Sequence, residues 1–230
     1  MNTLVEIGKK YSTTKYPTGF LEIYENYFKE YKDKEIKILE IGVDKGASLR
    51  LWREYFSKAK ICGLDIDKKD FEINNVDIIV GDQSNQNILK KIVSKYGSLD
   101  IIIDDGSHRC THIIKSLEYL FDYLSREGLY VVEDLQTSYF PRYGGSRYNL
   151  LKRNTSMNYL KSIADSINYE QNNKPFFRKT KYDGLIKYIH FYQNLAIIKK
   201  GLSSKYYYKE VKKEKYWIEI IKKCISYIYR

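Results

Sequence analysis

Apolar residues fall into short continuous runs separated by stretches of helical spacing. Lys37–Ile41, Lys60–Ile66, Asp77–Val80, Leu99–Ile103 and Leu129–Val132 are runs of strand length rich in Ile, Leu and Val. Continuous rather than alternating runs belong to strands covered on both faces, which is the condition of a parallel sheet. Between them, Ala47–Tyr55, Ile88–Tyr96 and His112–Leu124 carry apolar residues at helical spacing. The alternation predicts an α/β fold with helices on both sides of the sheet. Upstream, Phe20, Ile23, Tyr24, Tyr27, Phe28 and Tyr31 predict a helix over Thr18–Tyr31. The stretch Gln136–Asp183 lacks strand signals, contains Gly144, Gly145 and Pro175, and predicts a loop with helices over the sheet edge. Tyr188–Gln193 and Leu195–Lys199 read as two closing strands joined by a tight turn. From Lys205 the chain is basic, with Trp217, Ile220, Ile221, Cys224, Ile225 and Ile228 on one helical face. That face predicts packing on the domain or a partner subunit, or an electrostatic contact with a membrane surface.

Composition narrows the class. The 230 residues are 43% hydrophobic and 30% charged, enough for one ordinary core and incompatible with wholesale disorder. No apolar run approaches the ~20 residues of a membrane span, and the first ten residues hold no signal-peptide core. Cys62, Cys110 and Cys224 are far apart and lack metal-finger spacing, so a reducing, cytoplasmic setting is expected. The formal charge of +11 admits nucleic acid, an anionic membrane or a phosphate-bearing small molecule as partner. No N-P-P-Y acceptor motif or recognition domain accompanies it, which argues against nucleic acid.

Ligands of an open parallel sheet sit outside the carboxyl ends of its strands. Those ends gather Glu40 and Gly42, Asp65 and Asp67, Asp104 and Asp105, and Glu133 and Asp134, an acidic edge on a basic protein. Glu40-Ile41-Gly42-Val43-Asp44-Lys45-Gly46 is a glycine-bearing turn that lets a cofactor approach the backbone. Asp65 is placed to accept ribose hydroxyls, and Gly81-Asp82 to meet an adenine edge. The expected cofactor contacts are therefore Glu40, Gly42, Gly46, Asp65, Asp82 and Asp104. The full G-x-G-x-x-G fingerprint is missing, which disfavours NAD and favours a cofactor without phosphates such as S-adenosylmethionine.

Adjacent strands four and five bring Asp105, Glu133 and Asp134 into one small volume. Clustered carboxylates repel unless a cation sits among them, and all-oxygen ligation suits Mg²⁺ or Mn²⁺. The alternative is that Glu133 or Asp134 caps a helix or pairs with one of the many lysines. His108 follows a Gly-Ser turn at this edge and is the candidate general base. His112 reads as helix surface or support, and His190 as packing. After the acid pair, Tyr139, Arg142 and Tyr143 are candidate substrate residues, the aromatics for sugar stacking and Arg142 for a phosphate.

The stretches ILEIGVDKGASLRLW, GLDID, DIIIDDGSH and GLYVVEDLQTSYFPRYGG, within residues 36–145, resemble the class I S-adenosylmethionine-dependent methyltransferases. More narrowly they are similar to metal-dependent sugar O-methyltransferases of the macrolide-glycoside type. The resemblance implies a doubly wound, mostly parallel seven-stranded sheet with its last strand antiparallel. It implies that Asp105, Glu133 and Asp134 hold the metal, and that His108 takes the proton of a sugar hydroxyl. It implies that Glu40, Gly42, Asp65 and Asp82 contact the cofactor. Lys9–Tyr16 looks like a lid segment of that family, with Thr14-Lys15 where relatives often carry an Asp before the lysine. The expected organisation is a helical lid over residues 1–35, a methyltransferase domain over 36–200 with a substrate-side insertion at 136–185, and a basic amphipathic helix over 201–230. The expected reaction is methylation of a hydroxyl on a nucleotide-linked sugar or surface-glycan precursor, by a homo-oligomer. A nucleic-acid or natural-product methyltransferase, or a non-catalytic cofactor-binding module, is the alternative.

Overall fold

The computed structural model describes residues 2–171 and 180–202. The expected amphipathic tail helix lies outside the described residues, as does Pro175. Seven strands form one sheet: β1 (Lys37–Ile41), β2 (Lys60–Asp65), β3 (Val76–Val80), β4 (Leu99–Asp104), β5 (Leu124–Val132), β6 (Ile186–Tyr192) and β7 (Leu195–Lys200). Their order is β3-β2-β1-β4-β5-β7-β6. The first five are mutually parallel, while β7 runs antiparallel to both β5 and β6. This is the expected mostly parallel sheet with a reversed last strand.

Successive residues of the central strands serve opposite faces, so each face acquires its own core. Ile101 and Ile103 of β4 pack with Ile38, Trp52, Leu129 and Val131. Ile102 packs on the other side with Leu39, Cys62, Leu89, Leu117 and Tyr130. Helix α3 (Ala47–Tyr55) covers the first face through Leu49 and Trp52, joined by α1 (Leu4–Tyr11) and α2 (Phe20–Phe28). Helices α4 (Gln86–Tyr96), α5 (Cys110–Leu120) and α6 (Ser156–Ala164) cover the second through Leu89 and Ile92, Ile113 and Leu117, and Leu160 and Ile163.

Helix α1 falls within the helical segment expected over residues 1–35; Leu4, Ile7 and Tyr11 recur at helical spacing, and a capping box marks its start. Thr3 Oγ1 accepts the Glu6 N–H (3.2 Å) and Glu6 Oε2 accepts the Thr3 N–H (2.8 Å). Strand β5 begins five residues before the expected Leu129, with Leu124 pairing Leu99 across a register shift. The intervening Ser125–Glu127 are polar and mostly exposed, and Glu127 has φ 67°. An irregular, wetted stretch of strand carries no apolar run to announce it. Correspondingly α5 ends at Leu120, followed by a single tight turn over Phe121–Tyr123.

The sheet order reverses between β1 and β4, where their carboxyl ends meet. Gly42 N–H bonds the Leu64 carbonyl (2.8 Å) and Asp105 N–H the Ile41 carbonyl (2.9 Å), which fixes both turns side by side. Gly42 has φ 92°, and a Cβ there would overlap the Asp105 carbonyl. Gly42→Ala is therefore expected to destabilise the fold by at least about 1–3 kcal/mol from backbone strain alone. A denaturant melt with an unchanged midpoint would contradict this close approach.

Candidate active site

A cleft of about 340 Å³ opens at this switch point. Gly42, Asp65, Gly81, Asp82, Gly106 and Ser107 line it, together with Gln83 and His112. Asp65 faces it from the end of β2 while Oδ2 accepts the N–H groups of Val43 (2.8 Å) and Asp44 (3.1 Å). Burial alone would raise this carboxyl; the N–H of Asp67, Lys69 and the two turn amides outweigh it and hold it below the usual aspartate range. The expected ribose acceptor is thus also the clasp of the glycine turn. Asp82 lies at the cleft end of β3, its carboxyl lowered chiefly by the Ser84 N–H.

Three of the expected cofactor contacts do not line this cleft among the described residues. Gly46, with φ 76°, starts helix α3 against the Phe71 ring. Asp104 turns into the core, where Gln83 Nε2 (2.9 Å) and Ser116 Oγ (2.5 Å) donate to it. Burial raises its carboxyl against those bonds. Gln83 Oε1 in turn accepts the Ser107 N–H (2.7 Å), so Asp104 supports the loop that carries the cleft's far wall. Glu40 is fully buried, and Ser48 Oγ donates to its Oε2 (2.8 Å).

Next to the cleft the acids converge. Ligand atoms of Asp105, His108 and Asp134 all lie within 4.8 Å of one another. His108 Nε2 stands 3.6 Å from Asp134 Oδ2. Both His108 (φ 55°) and Asp134 (φ 54°) are left-handed, a strained conformation for residues with a side chain, and here it aims both at one point. The Tyr143 ring meets the His108 imidazole edge-on (6.4 Å, 73°), and the Arg142 guanidinium lies 4.8 Å from the Tyr143 ring centre. Tyr139 is partly exposed in the preceding turn.

Glu133 adopts the lysine-paired alternative. Its Oε1 accepts from Lys15 Nζ (2.7 Å) and from Tyr24 OH (2.6 Å). The same ammonium reaches Asp105 Oδ2 at 2.5 Å and Glu40 Oε1 at 3.4 Å. Burial opposes the charge on Lys15, but the three carboxylates outweigh it and hold the lysine well above its ordinary range. Burial and the Asp105 charge push the Glu133 carboxyl up to about 8 against the pull of Lys15. Three carboxyl groups share this one ammonium, and the donor chemistry of the more exposed Asp105 and Asp134 fits a divalent ion.

No family model matches the chain. Demethylmacrocin O-methyltransferase of Streptomyces fradiae is 37% identical over 212 residues, which are 87% of this chain and 54% of that protein. Mycinamicin VI 2''-O-methyltransferase of Micromonospora griseorubida is 36% identical over 211 residues, 86% of this chain and 52% of that protein. A solved structure of the MycE methyltransferase from the mycinamycin biosynthetic pathway, in complex with Mg and SAH, superposes with a TM-score of 0.82 at 33% identity. The chain is a class I methyltransferase related to the macrolide-glycoside sugar O-methyltransferases. The MycE match covers 89% of this methyltransferase chain and 56% of that one, and a further MycE complex also contains mycinamycin VI. The chain spans about half the length of these relatives. A ribosomal RNA methyltransferase from Plasmodium falciparum, at 17% identity and a TM-score of 0.54, shares the fold alone. Among the described residues no helix is long and apolar enough to cross a membrane.

Four residues of this site escape the sequence reading as site residues. Lys15 and Tyr24 come from the N-terminal helical segment, distant in sequence from every strand end. Gln83 and His112 line the cleft, with His112 Nδ1 3.1 Å from Ser107 Oγ. His112 lies in the first turn of α5, whereas His108, with φ 55°, precedes that helix, so their four-residue spacing puts them on no common helical face.

Proposed function

We propose that the chain transfers a methyl group from S-adenosylmethionine to a hydroxyl of a sugar, with a divalent ion held at the acid edge. The observation that carries this reading is the convergence of Asp105, His108 and Asp134 within 4.8 Å, beside a cleft entered through the Gly42 turn. Asp105 and Asp134 hold the ion, and Glu133, which shares the Lys15 ammonium with Asp105, completes the acid set. A bound Mg²⁺ or Mn²⁺ lowers the pKa of a coordinated alcohol, and the sulfonium donor supplies the methyl group.

The remaining chemistry belongs to the chain. His108 Nε2 accepts the hydroxyl proton, oriented by the Asp134 carboxylate. The Gly42 turn and the Asp65 carboxylate position the donor's nucleoside, and Asp82 faces its base. Holding both reactants in line is worth roughly 7–11 kcal/mol. Tyr143, in contact with His108, offers a face to the sugar, and Arg142 beside it supplies a cation for a phosphate. This pairing and the +11 charge favour a nucleotide-linked sugar or surface-glycan precursor as acceptor.

Labelled S-adenosylmethionine incubated with nucleotide sugars and with neutral glycosides tests the reading. Transfer is expected only with Mg²⁺ or Mn²⁺ present. Turnover that survives EDTA would remove the ion from the reaction, and transfer to neutral glycosides alone would overturn the phosphate-bearing acceptor.

A further inference from the structure

We propose that Lys15 is a positioning residue of the ion site: its buried ammonium bridges Asp105 and Glu133 and so presents the acid edge to a divalent ion in one fixed arrangement. The inference rests on the ion reading above.

The acid cluster is graded from inside to outside. Lys15 is 2% exposed and fills the interior end, where Glu40 and Glu133 are equally buried. Asp105 and Asp134, at 23% and 34%, face the open end with His108. Asp105 belongs to both halves. One of its oxygens receives the ammonium, and the residue is also a member of the convergent donor set. Lys15 therefore occupies a place beside the ion rather than its place.

The lysine is itself held. Its carbonyl accepts the Phe20 N–H (3.2 Å) and Thr18 Oγ1 (3.1 Å) at the start of α2. The flanking helices are docked through Leu4, Ile7, Leu21 and Tyr24, all buried against the core that contains Trp52. A Cβ on Gly8 would run into Leu21, which shows how closely α1 lies on α2. Tyr24 then reinforces the same Glu133 oxygen from α2. A rigid segment outside the sheet thus contributes two donors to one carboxylate of the site. Among the described residues Lys15 is the one lysine or arginine within 4 Å of Glu40, Asp105 or Glu133. It is also oversubscribed, because Glu40 Oε1 accepts no hydrogen bond. It aligns Asp105 and Glu133 but makes no ion pair with Asp134, whose carboxylate stays open to a divalent ion.

The test is Mn²⁺ binding, read from the EPR signal of free Mn²⁺, with SAH binding and circular dichroism as controls. Lys15→Met is expected to weaken Mn²⁺ binding by about tenfold or more, the scale set by groups that orient metal ligands, while SAH affinity stays within about twofold. Lys15→Met/Glu40→Gln removes the orphaned acid as well and carries the measurement if the single variant does not fold. Weak Mn²⁺ binding is expected there too, because the tether to Asp105 and Glu133 is still lost. Wild-type affinity in the double variant would mean that Lys15 acts by charge balance alone and would overturn the proposal. Tighter binding in Lys15→Met would make the lysine a competitor of the ion, which overturns it as well, and so would an unchanged affinity. A wild-type protein that binds no Mn²⁺ would sink the ion reading and this inference together. Binding by wild type with an indifferent Lys15→Met sinks the inference alone.

Discussion

His108→Ala is expected to lower turnover by roughly 10²–10⁴-fold, the range for loss of a positioned general base, with S-adenosylmethionine affinity close to wild type. The separation follows from the geometry. His108 stands on the acid side, 3.6 Å from Asp134 and in edge contact with Tyr143. The cleft wall is made by its neighbours Gly106 and Ser107, whose backbone is held by Gln83 rather than by the imidazole. Removal of the ring should therefore leave the donor site standing. Single-turnover rates and equilibrium binding of SAH check the two halves separately. Equal loss of both would place His108 in the structure of the loop and not in the chemistry. His108→Gln keeps polarity but not basicity, and should be as slow as the alanine variant.

The second large effect is expected at Asp134. Asp134→Asn keeps the shape of the side chain and the acceptor for Gln136 Nε2 (3.1 Å), but removes one anionic donor of the convergent set. An ion's stabilisation of a developing charge is worth several kcal/mol, so the ion-dependent rate should fall by roughly 10³-fold. Mn²⁺ binding should weaken in parallel. Asp134 is the better probe than Asp105, because Asp105 also carries the Lys15 ion pair and its loss would disturb Glu133 too. Full turnover in Asp134→Asn would remove this carboxylate from the ion site.

Sequence and structure agree where the determinant is local. The continuous runs at β1, β2 and β4 could only be strands buried on both faces, and the sheet forms from them as read. The glycine turn, the Asp-Gly-Ser-His loop and the Glu-Asp pair fall at strand ends, so their meeting follows from topology alone. Disagreement arises where partners are remote. Asp104 and Asp105 are neighbours in sequence, yet one is sealed in the core beneath Gln83 and Ser116 while the other faces the site. The pleat sends adjacent side chains to opposite sides, and the sequence does not say which side holds the cleft.

By itself, then, the chain's pattern determined a parallel sheet covered on both faces, two closing strands and the acids at the sheet's carboxyl edge, because strand periodicity and strand ends are properties of a few consecutive residues; the reversed final strand came from the family resemblance. Only the tertiary structure decided which acids face one another across solvent and which are taken up by Lys15. That lysine lies 90 residues from Asp105 and 118 from Glu133, and its place in the lid segment does not say which acids it meets. Its partners are chosen by the packing of α1 and α2 onto the sheet, which carries an ammonium into a place water cannot reach and leaves carboxylates as its available partners.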